Sequence, residues 1–298
     1  MDYINSITEA IGHTPLLKLN NIGKDLKANL FVKLEYLNPS GSYKDRMALA
    51  MIDAAQEGHT WNGRRLEKGG VVIEASAGNT APAVSMVCAA RGYDAHIYLY
   101  RYQMEDPKNT RLQITRSFGP EVKVSSEPHV YFTEEQIEEF SKKAPDLLHV
   151  LAAKKDCQLE EDSLGNAVWL DQIYNPYNYI GQEALGEEIF AQLDGHIDAV
   201  GCSTSSGASL YGMIRGLQHN GVRPEVIFGV EPEGSEKFFD FEGKEARYGE
   251  FQVSDAKTEI AEAVGLKKWV QEEAIVDKLM KDGYPDQFFC ISDEEARA

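Results

Sequence analysis

Apolar residues along the chain fall into two rhythms that alternate. Short, nearly unbroken apolar runs recur, and between them apolar positions repeat every three or four residues. Residues 30–34 read as a short buried strand. Residues 45–57 read as a helix: Met47, Met51, Ala54 and Ala55 share one face, and Gly58 follows as a stop signal. Gly69 and Gly70 lead into a strand at 71–74, and a turn of small residues separates it from a helix at 80–91, closed by Gly92. Pro82 is tolerated there because the N–H groups of a first helical turn have no partner to lose. The unit repeats as a strand at 96–100, a helix at 107–117 and a strand at 121–124. It returns as a strand at 197–200, a helix at 209–217 and a strand at 226–230.

This alternation predicts an α/β fold, a mostly parallel twisted sheet flanked by helices. Such sheets bind ligands at the carboxyl ends of their strands, in the loops that enter the helices. The loops after Glu74 and after Val200 are therefore the places to look. Two stretches break the rhythm. Residues 125–166 are irregular and acidic, with Glu134, Glu135, Glu138, Glu139, Glu160, Glu161 and Asp162, and residues 236–255 are similarly charged. Both read as solvated helix faces and surface insertions, with an acidic docking surface as the alternative.

Composition narrows the functional classes. At 298 residues and 43% hydrophobic, the chain is long enough for one large domain or two small ones. It carries 30 basic and 48 acidic residues, a net charge of −18. Such a field disfavours general nucleic-acid and anionic-membrane binding. No apolar run is long enough to span a bilayer, and the acidic, polar start of the chain does not resemble a signal peptide. Cys88, Cys157, Cys202 and Cys290 are far apart, and the seven histidines are scattered. Neither a disulfide framework nor a metal site is expected. A soluble protein of the cytoplasm is the expectation.

Three loops carry candidate chemistry. Residues 38–46, Asn-Pro-Ser-Gly-Ser-Tyr-Lys-Asp-Arg, deliver Lys44 at the start of a helix. A lysine in a pocket near positive dipoles can act as an amine nucleophile or base, whereas a random lysine there is a solvated surface residue. Residues 74–80, Glu-Ala-Ser-Ala-Gly-Asn-Thr, join a strand to a helix whose first N–H groups suit a carboxylate or phosphate. Asn79 reads either as a donor to a ligand oxygen or as a helix cap. Residues 201–209, Gly-Cys-Ser-Thr-Ser-Ser-Gly-Ala-Ser, combine hydroxyls, backbone amides and a helix start. They suit a phosphate, or form a plain small-residue turn. Cys202 and Tyr211 flank this loop, and Cys202 reads as an inert core residue rather than a nucleophile. Together a lysine, a carboxylate loop and a phosphate loop are what a pyridoxal phosphate enzyme needs.

On these segments the chain resembles the fold type II pyridoxal-phosphate enzymes, of tryptophan synthase β-like fold, in the branch of cysteine synthase and cystathionine β-synthase. Gly12-His13-Thr14-Pro15-Leu16 resembles that family's opening segment, and the lysine loop its Asn-Pro-x-Gly-Ser-x-Lys-Asp-Arg motif. The 76–80 loop resembles its Thr-Ser-Gly-Asn-Thr motif, and residues 172–176 its Gln-Phe-x-Asn-Pro segment. Residues 205–212 line up with its phosphate loop, and residues 229–235 and 292–296 resemble later segments. The resemblance implies two domains, a larger one of residues 1–44 and 160–298 and a smaller, mobile one of residues 45–159. It implies pyridoxal 5'-phosphate as cofactor and Lys44 as its Schiff-base lysine. It implies cofactor contacts from Asn79, Ser205, Ser206, Gly207, Ala208 and Ser209. Substrate contacts are implied for Ser76, Ala77, Asn79, Thr80 and Gln172.

The implied reaction is β-replacement on an O-activated serine through an α-aminoacrylate, with a small nucleophile, in a homodimer. β-Elimination by a lyase, or threonine-synthase-like γ chemistry suggested by Tyr43, is the alternative. A non-catalytic cofactor-binding or interaction protein is a second. The departures bear on substrate more than on cofactor. Ser76 and Ala77 replace Thr and Ser, Ala81 replaces Gly, and Ser205, Ser206 and Ala208 replace Gly, Thr and Gly. Ala263 would add a methyl to a loop near the active site. Residues 292–296 resemble a segment that precedes the family's C-terminal part, which holds the Ser or Thr that bonds the cofactor's pyridine nitrogen. The resemblance thus implies a shortened chain, or a pocket completed by solvent or a partner subunit.

Overall fold

Strand and helix positions follow the two rhythms closely, and the elements assemble into two parallel sheets. The computed structural model describes residues 3–105, 108–143, 147–232, 264–266 and 273–297. Ala263, residues 233–235 and the acidic stretch 236–255 lie outside the described residues.

The first sheet has the order β5-β4-β3-β6, all parallel. Its strands are β3 (Val71–Ala75), β4 (Asp94–Leu99), β5 (Glu121–Val124) and β6 (Ala167–Trp169). The sheet therefore runs past residue 159, because β6 lies against β3 with Val71 opposite Ala167. Alternate residues of β3 face opposite sides. Val72 packs with Met47, Met51 and Ile52 of α1 (Lys44–Gln56) and with Val84 and Val87 of α2 (Thr80–Arg91). Ile73 packs on the other face, with Leu151 and Cys157 of a helix from the stretch 125–166.

That stretch is more ordered than its composition suggests. After α3 (Arg101–Glu105) and α4 (Thr110–Ser117) it forms α5 (Glu134–Lys143) and the 17-residue α6 (Leu147–Ser163). Glu134, Glu135, Glu138, Glu139 and Asp162 are exposed, as solvated helix faces should be. Glu161 is not: it is fully buried and accepts hydrogen bonds from the Trp169 N–H at 2.9 Å and the Trp61 indole at 3.3 Å. Glu160 takes His96 Nδ1 at 2.7 Å. The partners of these carboxylates are distant in sequence, so counting charges could not separate them from the solvated ones.

The second sheet has the order β7-β8-β9, again parallel: β7 (Ala199–Ser203), β8 (Val226–Pro232) and β9 (Gln287–Ile291). After the short α7 (Tyr177–Gly181), the helices α8 (Glu183–Gln192), α9 (Ala208–His219) and α10 (Ile275–Lys281) pack with it, burying Leu185, Leu210, Ile214, Ile227, Ile275 and Leu279.

Residues 30–34 depart from expectation. They form β2 (Phe31–Lys33), paired antiparallel with β1 (Leu16–Lys18), and Phe31 and Val32 are 39% and 43% exposed. A two-stranded pair covers neither face of its own strands, so a run of apolar residues here does not imply burial.

Candidate functional site

The lysine loop is fixed from both ends before Lys44 appears. Gly41 turns with φ +89°, a conformation that glycine adopts without steric cost. Asn38 Oδ1 accepts from the Gly12 N–H at 2.8 Å, and Asp45 accepts from the Ser40 N–H at 2.7 Å. Arg46 is buried and forks between two carboxylates. Its Nε and Nη2 donate to Glu35 at 2.7 and 2.8 Å, its Nη1 and Nη2 to Glu188 at 2.7 and 2.9 Å. This bidentate geometry fixes both position and angle.

Lys44 is the first residue of α1, and its Nζ lies 4.9 Å from the centre of the Tyr43 ring. Burial lowers its pKa to about 8, against the opposing field of Glu74. The neighbouring Cys202 thiol is pushed up to about 12 by burial, so it stays protonated and inert. Lys44 lines a small cleft together with Ser203, Ser205, Ser206, Gly207, Ala208 and Ser209.

The loop between β7 and α9 is shaped by two constraints. Thr204 N–H donates to Val230 O at 2.9 Å, which extends the β7–β8 pairing. Gly207 then turns with φ +77° directly before α9, so the free N–H groups of that helix face the same cleft region. Tyr43 and Ser209 line the same cleft, which brings the lysine loop against the helix start.

The second half of the site lies at the end of β3. Ser76 N–H donates to Tyr98 O at 3.2 Å, and Ser76 Oγ accepts from the Gly78 N–H at 3.2 Å. Asn79 precedes α2 but does not cap it; its Oδ1 accepts from Arg111 Nε at 3.1 Å. Thr80 Oγ1 donates to Gln172 Oε1 at 2.6 Å, across 92 residues of sequence. Ala77 is half-buried against the core under α1 and α2. Gln172 sits in the turn after β6, held by Asn178 Nδ2, which donates to its carbonyl at 2.6 Å.

Lys44 and residues 205–209 thus share one cleft, while Gln172 joins the 76–80 loop through Thr80. Glu74 stands between the halves, acting on Lys44 from the strand that carries the 76–80 loop. Sequence reading passed over Glu74, Arg111, Lys154 and Asp171. Glu74 was visible as an acid inside an apolar strand, an unusual place for a charge. Lys154 and Asp171 gave no comparable signal.

The donor set fits pyridoxal phosphate. A lysine made easier to deprotonate, beside an array of hydroxyls and helix-start amides, matches an aldehyde at one end and a phosphate at the other. Comparison with known proteins agrees. The chain is 32% identical over 297 residues to cysteine synthase 1 of Emericella nidulans, covering 98% of this chain and 70% of that protein. A hydrogen sulfide-producing enzyme from Fusobacterium nucleatum superposes with a TM-score of 0.69 at 24% identity, over 100% of this chain and 82% of the other. The O-acetylserine dependent cystathionine beta-synthase of Helicobacter pylori does so with 0.68 at 23%, over 99% and 81%. Residues 7–298 match the family described as pyridoxal-phosphate dependent enzyme, and the chain belongs to that family, in its cysteine synthase branch.

Proposed function

We propose that the protein replaces the activated β-oxygen of an O-acylated or O-phosphorylated serine with a small nucleophile, as cysteine synthases do. The observation that carries this reading is the single cleft shared by the Lys44 amine and residues 205–209. Pyridoxal phosphate, when bound, supplies an electron sink for the bonding pair released at the substrate's Cα. The first-turn amides of α9, with the Ser206 and Ser209 hydroxyls, hold its phosphate; Ser205, Gly207 and Ala208 keep the backbone close. Asn79 would supply a further contact to the cofactor. Lys44 Nζ takes the Cα proton as a general base, a task suited to an amine whose pKa lies near ambient pH.

Ser76, Ala77, Asn79, Thr80 and Gln172 form the substrate wall. Thr80 occupies Gln172 Oε1, which leaves the amide N–H groups of Gln172 to donate to the substrate carboxylate. Holding that carboxylate aligns the Cα–H bond with the base, a positioning effect. The hydroxyl missing at Ala77 falls in this wall, so it bears on substrate choice and not on cofactor retention.

Reconstituted wild type is expected to show the visible absorption of a lysine-bound cofactor, and Lys44→Ala to lose it. Sulfide with O-acetylserine should yield cysteine; product formed without nucleophile consumption would mean elimination instead. A wild type that stays colourless with excess cofactor would sink the reading. Residues 1–44 and 160–298 are proposed as the larger domain and 45–159 as the smaller, with β6 completing the smaller domain's sheet. Four free cysteines favour a reducing compartment, which supports the cytoplasm. A homodimer is proposed on the exposed apolar residues around β1 and β2, among them Leu17, Ile22 and Leu26.

A further inference from the structure

Lys154 sits in the middle of α6 with its side chain 3% exposed. Its Nζ lies 3.1 Å from Glu74 Oε1 and 3.1 Å from Asp171 Oδ1, and both of those side chains are fully buried. The ammonium also sits 5.8 Å from the centre of the Trp169 ring. The two carboxylates outweigh burial, so Lys154 is charged at every working pH.

The two carboxylates belong to the two walls of the substrate site. Glu74 is the residue before Ala75 at the end of β3, and Ser76 follows; its Oε1 also accepts from the Ala75 N–H at 3.0 Å. Asp171 precedes Gln172 and holds a left-handed backbone, φ +53°, with Oδ1 also accepting from the Ile173 N–H at 3.2 Å. For a residue other than glycine that conformation costs energy unless neighbours hold it. Lys154 is one such neighbour. Above this tie the same two walls meet again through Thr80 and Gln172.

We propose that Lys154 is a positioning residue for the amino-acid substrate: it ties the 76–80 loop to the Gln172 turn and fixes the spacing in which the substrate carboxylate is held. The inference rests on the proposed site but assigns a role to a residue that touches neither cofactor nor substrate. The charges run in alternation from Lys44 through Glu74 and Lys154 to Asp171. Lys154 thus also balances the buried negative charge beneath the loop. A neutral side chain at this place would leave two carboxylates facing each other, and they would separate or take up a proton.

The test compares wild type with Lys154→Met and with Asp171→Asn, the latter nearly isosteric should the former fail to fold. L-Alanine, which lacks a β leaving group, serves as the binding probe in a spectral titration of the reconstituted proteins. In the folded variants the visible band should persist, while the dissociation constant for L-alanine and the KM for the donor rise about tenfold and kcat changes less. In the apoproteins, hydrogen exchange should quicken at residues 76–80 and 172–174 and stay unchanged in β7 and β8. Folded variants that bind L-alanine about as tightly as wild type overturn the proposal. So does faster exchange spread evenly through both sheets, the mark of a merely structural role. A colourless wild type would count against the proposed reaction alone, because apoprotein exchange still decides the tie.

Discussion

Burial makes Lys44 far easier to deprotonate than an ordinary lysine, and the fold bears the consequence. Its pKa near 8 lies below the ordinary 10.5, so protonation of the folded apoprotein is disfavoured by burial. Labelling by an amine-directed electrophile should follow a titration with its midpoint near pH 8 at Lys44, against about 10.5 for surface lysines. The sign for stability follows by linkage. A lysine pKa lowered on folding destabilises the native state below about pH 8, and the penalty fades as pH rises towards 10.5. Lys44→Met apoprotein should melt above wild type at pH 7, with the gap shrinking by pH 10. No gain at pH 7 would mean that the amine is better solvated than its surroundings indicate.

Arg46 illustrates the opposite case. Burial pushes the Glu188 carboxyl up, but Arg46, Lys33 and the His13 N–H outweigh it and hold the carboxyl at about 2. Its contribution is present above 4.5 and lost as pH falls towards 2. Arg46→Met would leave Glu35 and Glu188 without their fork, a loss of about 3–5 kcal/mol by the usual behaviour of broken buried pairs. Urea unfolding at pH 7 measures it; a loss near zero would show that the carboxylates reach water instead.

At the scale of elements, the end of α9 that carries the 205–209 loop depends on how closely that helix approaches α7 and α8. A Cβ at Gly216 would stand 2.0 Å from Glu183 O, one at Gly212 2.2 Å from Tyr179 O, and one at Gly186 2.1 Å from Met213 O. These are backbone atoms and cannot turn aside, so Gly216→Ala must push α9 away from α8. The expected result is a stability loss of about 1–3 kcal/mol together with weaker cofactor retention, because the 205–209 loop rides on the helix. Retention unchanged in a destabilised protein would mean that the loop is fixed by β7 instead.

The rhythm of apolar residues made β3, α2, β4 and α9 legible because each has one buried stripe or a continuous buried run. It also drew attention to the small-residue loops at 74–80 and 201–209, which do lie between a strand and a helix. It failed for β2, whose apolar residues are exposed, and for α6, whose acids and lysine are partly interior. Both failures have one cause. Burial of Lys154, Glu160 and Glu161 is decided by partners 8 to 100 residues away, and a local pattern contains no record of them.

At the scale of the whole molecule, two surface properties oppose each other. The chain carries a net charge of −18, so two copies repel over the roughly 8 Å Debye length of physiological salt. Yet large apolar side chains stand in water around the β1–β2 pair: Ile22 is 70% exposed, Tyr36 64%, Leu26 59% and Leu17 48%. Apolar residues crowded in one region mark an interaction surface more often than an accident of composition. If a second copy covers them, association joins an apolar driving force that salt does not weaken to a repulsion that salt screens. The dimer should therefore tighten as sodium chloride is raised from low to physiological levels, the reverse of an interface built on ion pairs. Light scattering after gel filtration should give twice 33.2 kDa, and the double variant Ile22→Asp with Leu26→Asp should shift it to a single mass at every salt concentration. A wild type that is monomeric at high protein and high salt would leave these side chains to another kind of partner, and a dimer that loosens with salt would place the interface on a charged face instead.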